Sequence, residues 1–168
     1  MSEDICRSLK SVQQRIKDAC DKAERNADEI TLVAISKMKP IEDIKTAFNC
    51  GQIHFGENRA KELEDKMEGY AEQQIQWHMV GRLQTNKIKY MVDRVNWIDS
   101  VPKKKTIREI EKRASRIDRV INVLVQVNIS GEDQKGGCEP EDLPNILEYA
   151  QGKNHVHVRG LMGMASCY

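Results

Sequence analysis

The residues TLVAISKMKP at positions 31–40 decide the fold, because the sequence pattern changes there from that of a strand to that of a helix. The run Thr31–Ile35 is short, apolar and rich in β-branched side chains, which is typical of a strand covered on both faces. A polar pair follows it, and Pro40 suits the first turn of a helix. The stretch therefore predicts a strand, a loop that carries Lys37, and a helix.

The same alternation continues outward in both directions. Apolar residues at helical spacing from Ile5 to Ala23 predict an amphipathic first helix. The later helices are predicted from Pro40, across Ala60–Tyr70, across Gln84–Asp93, from Pro102 and from Pro140. The later strands are predicted at Gln52–Phe55, Ile75–Val80, Val95–Ile98, Val120–Ile129 and His155–Met162.

Alternating strands and helices predict a parallel sheet, either open and doubly wound or closed into a β/α barrel. No Gly-x-Gly-x-x-Gly follows the first strand, which disfavours a dinucleotide-binding fold. Polar residues and glycines come just after the strands, where a barrel builds its site: Lys37, Asn58, His78, Asn128 and Met162-Gly163. We therefore predict an α/β fold of the (β/α)8 TIM-barrel type with about six of the eight strands present. We expect one domain over residues 1–168 that is incomplete at its C-terminal end.

Composition narrows the class of ligand. Lysine and arginine (27) nearly balance aspartate and glutamate (26), so the chain has no large net charge that would attract nucleic acid or an anionic membrane. We expect the run Lys103–Lys105 to face solvent. The five cysteines lack Cys-x-x-Cys spacing, which predicts reduced thiols and no metal site. The N-terminus shows neither a signal peptide nor a membrane span, which predicts a cytoplasmic protein with a small-molecule ligand.

Lys37 occupies a useful position for a nucleophile, where a buried strand meets its loop. We expect its stem to lie in apolar surroundings, where desolvation lowers the pKa of a lysine from about 10.4 and favours the reactive neutral amine. The alternative is a lysine that closes a strand with its ammonium group in solvent, and position alone favours that alternative.

Four segments, in this order, resemble the pyridoxal phosphate homeostasis proteins, also called the proline synthase co-transcribed family. They are AISKMKP at Ala34–Pro40, FGEN at Phe55–Asn58, WHMVGRLQTNK at Trp77–Lys87, and NISGE at 128–132 with Lys135 and Gly136. The resemblance implies the barrel of the alanine racemase N-terminal domain and pyridoxal 5'-phosphate (PLP) held as a Schiff base on Lys37. It also implies a role in PLP homeostasis and supply and in amino-acid balance.

The matching segments supply further candidate site residues. Asn58, His78 and Met162 are the other cofactor-binding candidates, and Lys39 and Lys135 are secondary lysines that can meet the cofactor aldehyde during transfer. Asn58 can form hydrogen bonds near the cofactor ring, or it can fix the turn into the next helix. His78 can contact the cofactor, or it can be a hydrogen-bonded residue of the core or barrel mouth.

The family's closing segments have no counterpart in this sequence. These are a Ser-Met-Gly-Met-Ser-like stretch and an Arg-x-Gly-containing last strand, and in the family they carry the phosphate contacts and an arginine at the ring nitrogen. We therefore expect the chain to stop short of the phosphate-binding end and to bind PLP more weakly than a longer form.

Three functions remain open. The favoured one is a PLP carrier without strong catalytic activity, monomeric in its full-length form, that passes the cofactor to PLP-dependent apo-enzymes. A PLP-dependent amino-acid racemase is the second, but it needs another acid or base, and all the tyrosines lie outside the motif loops: Tyr70, Tyr90, Tyr149 and Tyr168. A PLP-free binding or regulatory module is the third.

Overall fold

The structure is a computed structural model that describes residues 2–132 and 136–165. Its strands are β1 (Ala34–Ile35), β2 (His54–Glu57), β3 (Gln76–Met79), β4 (Trp97–Val101), β5 (Ile121–Gln126) and β6 (Val156–Met162). Its α-helices are α1 (Ser2–Lys22), α2 (Ile41–Asn49), α3 (Ala60–Gly69), α4 (Lys104–Ala114) and α5 (Leu143–Gln151). Short 3-10 helices lie at Ala27–Glu29, Thr85–Tyr90, Ser115–Ile117 and Pro140–Asp142.

The six strands form one parallel sheet in which their spatial order is their order along the chain. A doubly wound sheet reverses its strand order at a switch point, whereas a β/α barrel adds each strand beside the one before it. The predicted α/β fold of barrel type is therefore confirmed, and the carboxyl ends of all six strands lie at one edge.

Alternate residues of each strand point to opposite faces of the sheet. On β2, Phe55 and Glu57 are buried on the face that the helices cover, and His54 and Gly56 point to the other face. The apolar core on the helical face includes Leu63 and Met67 of α3 and Ile107 and Ile110 of α4, all of them essentially inaccessible to solvent. No described helix is long and apolar enough to cross a membrane.

The predicted strand Thr31–Ile35 is shorter in the structure, where β1 contains only Ala34 and Ile35. The Leu32 carbonyl accepts a hydrogen bond from the Gln52 side chain (Nε2 to O, 2.7 Å), which takes the place of ladder pairing at this level. The long strand predicted at Val120–Ile129 likewise ends at Gln126. Val127 then pairs with Cys138 in an isolated bridge, and the Asn128 side chain accepts the Gly131 amide in a turn.

The helix predicted across Gln84–Asp93 is present but shorter, and it is a 3-10 helix at Thr85–Tyr90. Ile88 and Met91, which are fully buried, lie three residues apart, and the Met91 amide bonds to the Ile88 carbonyl. A three-residue repeat suits a 3-10 turn, in which positions i and i+3 stack. The helix predicted from Pro140 also begins as a 3-10 turn before α5.

The prediction that the cysteines are reduced thiols is wrong for one pair. Cys6 of α1 and Cys50 at the end of α2 form a disulfide, with their Cα atoms 5.7 Å apart. The two residues are far apart in sequence, and only the packing of α1 on α2 brings them together, so spacing gave no signal. Cys20 and Cys138 are free and buried.

Candidate functional site

A cavity of about 1630 Å³ opens at the carboxyl ends of the strands. Three of the four predicted cofactor-binding residues line it: Lys37 after β1, Asn58 after β2, and Met162 at the end of β6. They follow or end strands at the two opposite ends of the strand order and lie up to more than a hundred residues apart in sequence, so the fold brings them to one cavity. The cavity also has a surplus of positive charge, because its charged lining residues are Lys37, Arg82, Lys103, Lys104 and Lys105 against Glu139 and Asp142.

Lys37 lies in a tight turn, which the Lys39 amide closes by donating to the Ser36 carbonyl at 3.0 Å. The side chain of Lys37 is exposed, and its neighbour Ile35 is 49% exposed. The predicted apolar surroundings of the lysine stem are therefore wrong for this structure, because the cavity is open to solvent. Met38, the next residue of the turn, has a left-handed backbone with φ of 61°, which side chains other than glycine adopt infrequently.

A buried ion-pair cluster lies directly beneath this turn, on the helical face of the sheet. The Lys66 ammonium of α3 donates to the Glu57 carboxylate at 2.6 Å, to the Glu62 carboxylate at 2.7 Å and to the Ser36 carbonyl at 2.6 Å. The Ser36 hydroxyl donates to Glu57 at 2.5 Å, and the Met38 amide donates to Glu62 at 2.6 Å. The residues on either side of Lys37 are thus both hydrogen-bonded to the cluster.

The two carboxylates of the cluster titrate differently. Burial raises the pKa of Glu57, whose side chain is fully inaccessible, although hydrogen bonds from Lys66 and Ser36 act in the opposite direction. The hydrogen bond from Lys66 lowers the pKa of Glu62, which is partly exposed, and the Met38 amide adds to this effect. Glu62 therefore carries negative charge beside the turn at neutral pH.

Asn58 is held at the cavity wall by the backbone of the neighbouring strand. A Cβ atom on Gly81 would lie 2.2 Å from the Asn58 carbonyl oxygen, so only glycine allows this approach. The Ser100 hydroxyl donates to the Gly81 carbonyl at 2.7 Å and fixes Gly81 from the other side. The half-buried Asn58 side chain can then present an amide to the cavity from a fixed backbone.

His78, the fourth predicted residue, does not line the cavity. It belongs to β3 and is 4% exposed, with its Nδ1 2.8 Å from Asp99 Oδ2 and its Nε2 2.9 Å from Nδ1 of His54. Its ring also stacks on Trp97, with 5.4 Å between ring centroids. This arrangement is that of a hydrogen-bonded core histidine, the alternative left open above. Burial and the nearby His78 lower the pKa of His54, so that ring favours its neutral form.

The secondary lysines have different outcomes. Lys39 is exposed in the turn after Lys37, and it is not part of the cavity wall. Lys135 lies outside the described residues. The run Lys103–Lys105 is exposed as predicted, and it also borders the cavity.

Sequence reasoning missed the cluster of Lys66, Glu57 and Glu62. A signal was present, because Lys66 falls between Leu63 and Met67 on the apolar stripe of α3. A lysine on a buried stripe is rarely tolerated unless its charge is paired, and this one is 6% exposed. The partner Glu62 lies one helical turn before Lys66 and could be deduced from that spacing, whereas Glu57 reaches Lys66 from a different element and could not.

Fold and cavity together define a β/α-barrel protein of the alanine racemase N-terminal type, and the family model "Alanine racemase, N-terminal domain" matches residues 8–168. A pyridoxal phosphate homeostasis protein from Aquifex aeolicus is 42% identical over 157 residues, covering 94% of this chain and 69% of that protein. The chain belongs to the pyridoxal phosphate homeostasis protein family. The resemblance carried by the four motifs is thereby confirmed.

Solved structures agree with this assignment. The crystal structure of an unknown protein from Bifidobacterium adolescentis is 30% identical, with a TM-score of 0.91, over 98% of this chain and 71% of that one. The structure of PipY from Synechococcus elongatus with PLP bound is 28% identical, with a TM-score of 0.75, over 89% of this chain and 70% of that one.

Proposed function

We propose that this chain binds PLP in the cavity and holds it as a Schiff base on Lys37, in the service of PLP homeostasis and supply. The observation that carries the proposal is the position of Lys37, an amine on the wall of a large cavity at the carboxyl ends of the strands. The PLP-bound PipY structure and the names of the relatives support the same ligand. Delivery to PLP-dependent apo-enzymes, and through it an effect on amino-acid balance, are part of this proposal.

The residues present fit this cofactor, which supplies an aldehyde and a phosphate monoester. The Lys37 amine attacks the aldehyde carbon, one water leaves, and a carbon–nitrogen double bond remains. The cationic lining, with Arg82 and the three lysines at the start of α4, suits the negative charge of a phosphate. Asn58 offers an amide donor and acceptor, and Met162 offers an apolar contact to a ring.

We propose a carrier rather than a racemase because none of the described tyrosines lines the cavity, where one could serve as the second acid or base. A racemase exchanges the proton on Cα from both faces of the bound amino acid, which takes two groups. Within the described residues, Tyr70, Tyr90 and Tyr149 all lie away from the cavity lining. Tyr70 instead packs edge-on against Phe48. Tyr168 lies outside the described residues.

Borohydride reduction followed by peptide mapping tests the proposal. Reduction of the PLP-treated chain converts the Schiff base into a stable label, and we expect this label on the peptide that contains Lys37. The variant Lys37→Ala should lose it, and Lys39→Ala, changed two residues away on the same exposed loop, should retain it. Dominant labelling of Lys39 or Lys135 in the unmodified chain would refute the assignment.

A separate measurement distinguishes the carrier from the racemase. Incubation with L-alanine and PLP in deuterium oxide reports exchange at Cα by NMR, and we expect no exchange above that of free PLP. Rapid exchange with inversion that disappears in Lys37→Ala would establish the racemase instead.

A further inference from the structure

We infer that Lys66 is a positioning residue for Lys37. Lys66 fixes the backbone of the turn on both sides of Lys37 and thereby sets the direction of the Lys37 amine. Lys66 lies on α3, on the opposite side of the sheet from the cavity, and is not among the residues that line it. The inference rests on the proposed Schiff base at Lys37, and it adds to that proposal a residue that never touches the cofactor.

The first step is that the Lys66 ammonium is fully occupied. An ammonium group has three N–H donors, and three acceptors surround this one at 2.6–2.7 Å: the Ser36 carbonyl, Glu57 and Glu62. Lys66 therefore has no free donor, and it does not line the cavity. The Lys66 ammonium holds these three acceptors together, and it does not compete with Lys37 as a nucleophile.

The second step is that the acceptors reach both neighbours of Lys37. Before Lys37, the Ser36 carbonyl is bound directly by Lys66, and the Ser36 hydroxyl is bound by Glu57. After Lys37, the Met38 amide is bound by Glu62, the carboxylate that Lys66 also holds. Of Ser36, Lys37 and Met38, the cluster binds the first and the last, and the middle residue, Lys37, lines the cavity.

The third step is that the turn needs support. The left-handed backbone of Met38 is one that a side chain disfavours, and such conformations persist only where their surroundings enforce them. The Met38 side chain cannot supply that support, because it is 87% exposed. The hydrogen bond from the Met38 amide to Glu62 can support the turn, provided that Lys66 keeps Glu62 in place.

Removal of Lys66 would leave the Glu57 and Glu62 carboxylates close together without their shared cation. Repulsion between them, and the loss of the bond to Ser36, would free both ends of the turn. A glycine at position 38 would adopt the left-handed backbone without steric penalty. If Lys66 acts by positioning the turn, Met38→Gly should compensate for the loss of Lys66. If Lys66 only stabilises the whole fold, no such compensation is expected.

The experiment measures where and how fast the full chain is labelled by PLP and borohydride. The variants are Lys66→Met, which keeps the stem and removes the donors, Lys66→Arg, which keeps charge and donors, and Lys66→Met combined with Met38→Gly. Lys61→Met is the matched control, because Lys61 is on the same helix, is 75% exposed and pairs with Glu64 and Asp65, which do not belong to the cluster.

In Lys66→Met we expect the rate of labelling at Lys37 to fall about tenfold, equivalent to ~1.4 kcal/mol, and the share of label on Lys39 to rise. Lys61→Met should behave as the unmodified chain, and Lys66→Arg should retain most of the rate. The double variant should recover the Lys37 rate to within about threefold while its melting temperature stays low. Unchanged labelling in Lys66→Met, or no recovery in the double variant, would overturn the inference.

A second readout needs no cofactor. Hydrogen exchange resolved by NMR should show the Met38 amide protected in the unmodified chain and in Lys61→Met, and unprotected in Lys66→Met. If Lys66→Met does not fold, Glu62→Ala removes the acceptor of the Met38 amide at a position that is 24% exposed, and it should also lose the protection. A Met38 amide that stays protected in these variants would refute the positional role. Absence of label on Lys37 in the unmodified chain, with the expected exchange pattern, would instead refute the proposed Schiff base.

Discussion

The close approach of Gly81 to Asn58 leads to a prediction that joins stability to ligand binding. In Gly81→Ala, the new Cβ would lie 2.2, 2.7 and 2.8 Å from the carbonyl oxygen, Cα and carbonyl carbon of Asn58. These are backbone atoms, so no side-chain rotation relieves the clash. Gly81 cannot easily withdraw either, because Ser100 holds its carbonyl and the preceding Val80 amide is bonded to Glu57.

The size of the effect follows from this geometry. The new Cβ, at 2.2 Å from the Asn58 carbonyl oxygen, would lie far inside the 3.4 Å at which ordinary contact begins, so the two loops would have to move apart. Overpacking of this kind costs about 1–3 kcal/mol, which for a chain of this size lowers the melting temperature by about 2–12 °C. Asn58 would move with the loop, so we also expect weaker binding of PLP.

Thermal unfolding followed by circular dichroism, together with a PLP titration, measures both effects. Gly152→Ala is the matched control, because a Cβ there meets nothing within 4 Å and the backbone φ is −82°. We expect that control to keep the melting temperature within about 2 °C and the PLP affinity of the unmodified chain. If Gly81→Ala behaves as Gly152→Ala does, Gly81 does not hold Asn58 at the cavity wall.

Three further predictions concern stability. Cys50→Ser should lower the free energy of unfolding by about 2–4 kcal/mol in oxidising buffer and have no effect under dithiothreitol; an equal effect in both would contradict a disulfide contribution. Asp99→Asn removes the charge that accepts from His78 and should cost about 1.5–3 kcal/mol in urea unfolding, whereas an unchanged midpoint would mean that the bond contributes nothing. The hydrogen bond to Glu111 raises the pKa of His155, so the protonated His155 stabilises the folded chain fully below pH 6.5, and this stabilisation is lost as pH rises through the raised pKa. In His155→Gln the melting temperature should therefore fall less steeply with pH in that window, and an unchanged slope would refute this.

The order of strands and helices was predictable from sequence because it depends on local patterns. Short β-branched runs such as Thr31–Ile35 and amphipathic spacing such as Ile5–Ala23 are complete signals in themselves. Element ends were less predictable, because tertiary partners decide them. The Gln52 side chain takes the Leu32 carbonyl from the ladder, and no pattern within residues 31–35 contains that information.

In the candidate site, too, the features set by the order of strands were predictable, and those set by tertiary contacts were not. Lys37, Asn58 and Met162 follow or end strands, and the parallel sheet alone suffices to gather them at one edge. The orientation of His78 depends on partners from two other strands, and the exposure of Lys37 depends on how open the cavity is. Both are properties of the assembled structure, which a single sequence does not encode at any one position.

The agreement between strand order in the sheet and strand order in the chain has a consequence for how the protein forms. Each strand pairs with the one made just before it, so no strand must wait for a distant partner. Each pairing closes a single crossover connection, so it costs less loop-closure entropy than pairing with a strand far along the chain. A chain emerging from the ribosome can therefore add one strand–helix unit at a time to an existing sheet, and the turn that carries Lys37 has its pairing partner β2 and its supporting helix α3 before half of the chain is synthesised.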